Sequence, residues 1–63
     1  MRDIFQAAKL LIDQHGEDAA ERAARRAVEL LNDWDADGAM IWRRIHEAIG
    51  ELQRARQPGE ALN

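Results

Sequence analysis

The stretch Asp33-Trp34-Asp35-Ala36-Asp37-Gly38 constrains this chain more than any other. It is the only turn-rich break between two long amphipathic segments. On either side of it the apolar residues recur at i, i+3 and i+4, the spacing of a helix face. Nowhere do apolar and polar residues alternate as a half-buried strand requires. The fold class that follows is all-α, and the break is placed to fold two helices back on each other as an antiparallel hairpin.

The segment before the break divides once more. Between Asp3 and His15, the residues Ile4, Phe5, Ala8, Leu11, Ile12 and His15 form one apolar stripe, and Leu10 falls well outside it. Gly16 is a natural stop, because glycine enters the left-handed region without a side-chain penalty. A second helix is expected over about 17–32. Its apolar set is Ala19, Ala20, Ala23, Ala24, Ala27, Val28, Leu30, Leu31 and Trp34. That set covers about 180° of the helical wheel, more than one partner helix needs. Helix 2 is therefore expected at the centre, touching both neighbours. Its polar side offers Asp18–Arg22, Glu21–Arg25 and Arg25–Glu29 at i, i+4, a solvated and charge-paired face.

Helix 3 is expected over about 36–56, with Ile41, Trp42, Ile45, Ala48, Ile49 and Leu52 facing inward and Met40 projecting away. Arg43–Glu47 and Glu51–Arg54 are the expected pairs on its other side. Pro58 lacks the amide proton a continuing helix needs. The reading is a small three-helix domain over 1–57, with a helix 2–helix 3 hairpin and a flexible C-terminal tail over 58–63.

Length then becomes the argument. A chain of 63 residues has room for one domain near the lower size limit, whose core alone gives no more than roughly 3–5 kcal/mol. It has no cysteine, so neither a disulfide nor a thiolate metal site adds to that. Association is the remaining source of stability. The residues expected at an interface are the off-stripe Leu10 and Met40, Ala20, Ala27 and Leu31 on the over-wide arc of helix 2, and Trp34 and Ile41 near the turn.

The net charge of −3 weighs against a nucleic-acid role built on bulk electrostatics. Arg22, Arg25, Arg26, Arg43, Arg44 and Arg54 are interleaved with acids, unlike the basic helix of a DNA reader. No apolar run approaches the roughly 18–20 residues that span a bilayer. Asp3, Lys9 and Asp13 interrupt any secretory pattern, so a cytoplasmic location is expected.

The acidic turn carries one pattern with a defined chemistry. Asp33, Asp35, Asp37 and Gly38 match the opening of an EF-hand calcium loop, and Met40 suits its apolar eighth position. The twelfth position, which needs a bidentate carboxylate, is Arg44. From Ala39 onward the pattern is regular helix, so the second half of the loop could not wrap an ion. Asp35 or Asp37 is instead expected to cap helix 3, with the other acids placed favourably against its dipole. Asp33, Asp35 and Asp37 are the metal candidates that this reading sets aside.

Other catalytic constellations are missing. His15 and His46 have no partner at ligand spacing. The chain contains no serine, threonine, cysteine or tyrosine, which removes the usual nucleophiles, and no glycine-rich phosphate loop. Neither enzymatic activity nor a cofactor is expected.

Two likenesses stand beside this reading. Ala20 to Leu52 loosely resembles the helix–turn–helix unit of tetratricopeptide repeats, fitting its alanine and aromatic positions in part. Asp35, Gly38-Ala39, Trp42-Arg43, Ile45, Ala48-Ile49 and Leu52, with His15-Gly16 upstream, resemble a family of short alphaproteobacterial proteins of unknown function. That resemblance implies a helical domain and transfers no active site. Where the family commonly carries a second glycine before the capping aspartate, this chain has Trp34. The functional expectation is a non-catalytic protein-interaction module that self-associates as a homodimer. A small nucleic-acid-binding regulator is the alternative, and a calcium-binding helical hairpin the third reading.

Overall fold

A computed structural model of the chain describes residues 3–55, and among these every residue outside one short turn is helical. Helix α1 spans Asp3–His15, a single 3₁₀ turn follows over Gly16–Asp18, α2 spans Ala19–Asn32 and α3 spans Ala36–Ala55. No strand occurs among the described residues. The expected end of helix 3 at Arg56 and the tail over 58–63 lie outside them.

Gly16 ends α1 as its chemistry requires, with φ at +58°. The residues expected to open helix 2 wind instead as the tighter 3₁₀ turn, so the α-helix begins at Ala19 rather than Glu17. Glu17 and Asp18 lie in that tight turn, and the amide of Ala19 donates to the carbonyl of Gly16. A corner of this kind redirects the chain within a few residues.

Two observations fix the helix directions. The Gln53 side-chain amide, near the end of α3, donates to the carbonyl oxygen of Gly16 at 3.0 Å, just before α2 starts. The Asp33–Asp35 turn joins the other ends of α2 and α3, so these two helices run antiparallel. Ile4, at the start of α1, lines a groove with Asp37, Met40, Ile41 and Arg44 of α3. Helix α1 therefore runs in the same direction as α3.

The central helix is α3, not α2. It makes extensive contact with α2 and further contact with α1, while α1 and α2 meet each other sparingly. The arc of α2 is wide, but only its alanine side is used inside the chain. Ala19, Ala23 and Ala27 are buried, whereas Ala24, Val28 and Leu31 remain exposed. The 20-residue α3 is the longest helix and reaches along both neighbours.

The core that results is made of small side chains. Its buried residues are Ala8, Ala19, Ala23, Ala27, Ala39 and Ala48, joined only by Ile45 and Ile49 among the larger ones. Ile4, Leu11, Ile12, Trp42 and Leu52 pack partly buried against this centre. Small residues at these positions let neighbouring helices approach closely, and the larger side chains close the core around them. No helix among the described residues is long and apolar enough to cross a membrane.

Candidate interaction surface

The acidic turn joins two backbone motifs. At the end of α2 the amide of Trp34 donates to the carbonyl of Leu31 at 3.0 Å, and that of Asp35 to Leu30 at 2.8 Å. These are the two bonds of a Schellman stop, which needs a left-handed residue between the helix and its exit. Here that residue is Trp34, with φ at +65° and no other non-glycine residue sharing such a value among those described. At the start of α3 the Asp35 carboxylate accepts a bond from the amide of Gly38 at 2.9 Å, and the carbonyl of Asp35 accepts from Ala39. Asp35 is therefore the N-cap, and Asp37 lies in the first turn.

Asp33, Asp35 and Asp37 do not converge. Among the described residues no three histidine, aspartate or glutamate side chains gather in a way that could hold a metal ion. The Asp35 carboxylate is committed to the cap.

Trp34 is 94% exposed. Trp42, by contrast, packs against the core. The reason is geometric. A left-handed residue at the helix exit has its side chain thrown outward, away from the two helices it joins.

Trp34 has large apolar company at the same end of the molecule. Phe5 near the start of α1, Val28 and Leu31 in the last turns of α2, and Met40 and Ile41 in the first turns of α3 are each about half exposed. Met40 and Ile41 also line an open groove of about 260 Å³ between α1 and α3, whose other walls are Ile4, Asp37 and Arg44. It continues along α1 and α3 into a second open groove of about 580 Å³ that adds Phe5 and the charged Arg43, Glu47 and Glu51.

The charge pairs differ from expectation. Glu21–Arg25 forms at 3.4 Å as expected, and Arg26 pairs with Glu29 at 3.1 Å in place of Arg25. Among the described residues these are the two ion pairs, so Arg43–Glu47, Glu51–Arg54 and Asp18–Arg22 do not form. On the α3 face beside the grooves, Arg43, Arg44, Glu47 and Glu51 thus stand without an ion-pair partner among the described residues.

Of the expected interface residues, Leu10, Leu31, Trp34, Met40 and Ile41 are exposed. Leu10 is separate from the rest, in a shallow surface depression with Gln6, Ala7, Lys9 and Asp13. Ala27 is buried and Ala20 packs against the core, so both are engaged inside the chain rather than at an interface. Phe5 and Val28 join the exposed set although their positions read as core. The Gln53 bond to Gly16 had no sequence signal, because it links residues 37 apart through an ordinary glutamine. Compared with protein-family models, curated proteins and solved structures, the chain matches none of them.

Proposed function

We propose that this chain is a non-catalytic helical interaction module that associates with copies of itself. In this reading it is a three-helix unit, bent at Gly16 and folded back at the Asp33–Asp35 turn. The observation that carries the proposal is an inverted distribution of side chains. Alanines fill the centre, while Phe5, Leu10, Val28, Leu31, Trp34, Met40 and Ile41 are about half exposed or more. Scattered exposed leucines are ordinary on a monomer, but a cluster of large apolar groups rimmed by charges is the usual form of an association surface.

The chemistry of the surface supports the same reading. The grooves are open, apolar at their centre and charged at their rim, which suits a side chain from a partner better than a reacting small molecule. The free energy within reach is also of the right size. Each large side chain taken from half exposure to full burial contributes on the order of 1 kcal/mol, comparable with a sizeable part of a small domain's stability.

Sedimentation velocity on the full chain from about 10 µM to about 1 mM tests the proposal, a range that brackets weak to moderate dimers. The expected result is a monomer–dimer equilibrium within that range, with a melting temperature that rises with concentration. A monomer mass throughout, with a concentration-independent melt, would overturn it.

A further inference from the structure

We propose that the second copy docks at the turn end of the fold, each Trp34 entering the other copy's groove lined by Ile4, Asp37, Met40, Ile41 and Arg44. This rests on the self-association reading above and gives it a surface. Three observations lead there. The first is that the chain supplies a projection and a recess of matching chemistry. An indole has an apolar body, one N–H donor and a negative ring face. The groove offers an apolar wall in Ile4, Met40 and Ile41, a carboxylate acceptor in Asp37, and a guanidinium in Arg44 that has no ion-pair partner among the described residues. Arg44 over an indole face is a cation–π pair, and Asp37 can accept the indole N–H.

The second observation is size. A cavity of about 150 Å³ admits benzene, so the roughly 260 Å³ of this open groove gives room for a bicyclic ring. The chain's own Trp34 does not fill it, because that side chain is almost wholly exposed. The left-handed backbone fixes the point at which Trp34 leaves the turn, and its ring stands in solvent.

The third observation is position. The projection and the recess both lie at the turn end, where α2 ends and α3 begins and where α1 starts. The opposite end is closed by the Gln53 hydrogen bond to Gly16. A projection and recess on one end can be satisfied twice by a single twofold rotation, which closes the assembly as a dimer. Arg43, Arg44, Glu47 and Glu51 beside the groove provide both signs of charge, as a face that meets its own copy requires.

The test uses three full-length proteins: the wild type, Trp34→Ala, and Met40→Glu, which places a carboxylate in the recess and leaves the tryptophan intact. Sedimentation velocity gives the dimerisation constant of each, and far-ultraviolet circular dichroism confirms that each is folded. Both variants are expected to dimerise at least about 100-fold more weakly than the wild type, as befits a central tryptophan anchor that each dimer uses twice. Mixing them is the sharper arm. A Trp34→Ala copy keeps its recess and a Met40→Glu copy keeps its tryptophan, so the mixture restores one of the two dockings. It is expected to form a heterodimer tighter than either variant alone, with the Trp34 emission of the Met40→Glu copy shifting to shorter wavelength. A wild-type dimer that survives Trp34→Ala within about threefold, or a mixture no tighter than its components, overturns the docking mode and leaves self-association standing. A wild type that is monomeric throughout overturns both.

Discussion

Replacing Trp34 by glycine should make the monomer more stable, although it deletes the largest side chain in the turn. The residue sits at φ +65°, where a β-carbon crowds the following carbonyl, at a cost of roughly 1–2 kcal/mol. Glycine removes that cost but loses more backbone freedom on folding, which returns about 0.5–1 kcal/mol. The indole itself offsets nothing in the monomer, since 94% of the residue is already in solvent. The two backbone hydrogen bonds of the stop, from Trp34 to Leu31 and from Asp35 to Leu30, do not use the side chain and are kept.

The net expectation is a gain of about 0.5–1 kcal/mol, or ~2–8 °C in melting temperature for a domain of this size. Thermal unfolding followed by circular dichroism measures it, at about 5 µM so that self-association adds little. Trp34→Ala is the control, because it removes the indole and keeps the β-carbon. It should melt close to the wild type and below Trp34→Gly. If Trp34→Gly melts lower than the wild type, the indole holds the turn through its own packing and the strain argument fails. If the alanine and glycine variants melt together, the backbone conformation is not the cause.

Three further outcomes follow from the same geometry. Gly16→Ala places a β-carbon in open space but at φ +58°, so it should cost about 1 kcal/mol through the backbone alone, read as a lower urea midpoint at unchanged slope. Ile49→Ala empties the one large side chain that is fully buried among the described residues, and a loss of about 2–4 kcal/mol would take most of the stability a core this small supplies, giving a largely unfolded circular-dichroism spectrum at 25 °C. Asp35→Ala removes the cap on the Gly38 amide and should cost about 1 kcal/mol in urea unfolding, while titration of the wild type with calcium should leave Trp34 emission unchanged through the micromolar range; saturable binding there would show that the three aspartates can be recruited to an ion.

The legible parts of this fold are those set by one residue's own chemistry. Gly16 announces a left-handed stop, Asp35 a cap, and the apolar spacing three helical stretches, because each depends on neighbours within about one turn. The choice of central helix is not legible. The helix 2 pattern treats alanine, valine and leucine as equivalent apolar positions, but close helix approach favours the alanines, and Val28 and Leu31 are left on the outside. Trp34 reads both as an apolar position at helical spacing and as an interface residue near the turn, but its left-handed backbone has no sequence signal, because glycine or asparagine is the usual residue at such a stop. At the interaction surface Leu31, Met40 and Ile41 can be picked out from their place on the helices. The recess that Met40 and Ile41 line needs Ile4 from a distant part of the chain, and no local pattern encodes that meeting.

The inverted distribution of side chains also sets a limit on how the chain could have been built otherwise. Moving bulk inward, at Ala23 or Ala27 where α2 is buried, would add apolar area but force α2 away from α3, and overpacking of that kind costs about 1–3 kcal/mol. The alanine packing and the large exposed residues are therefore two sides of one arrangement. With alanines at most of the buried positions, Ile45 and Ile49 are the large apolar residues the interior takes among those described, and the others pack at the margins or face outward. Outward placement contributes no burial to an isolated monomer, and that burial is available only against another surface. Trp34 combines this lack of burial with a left-handed backbone, at a position where glycine would serve the fold better. A residue that the fold itself disfavours on both counts is best explained by what it does outside the fold, and the recess beside it at the same end of the molecule has the chemistry to receive it.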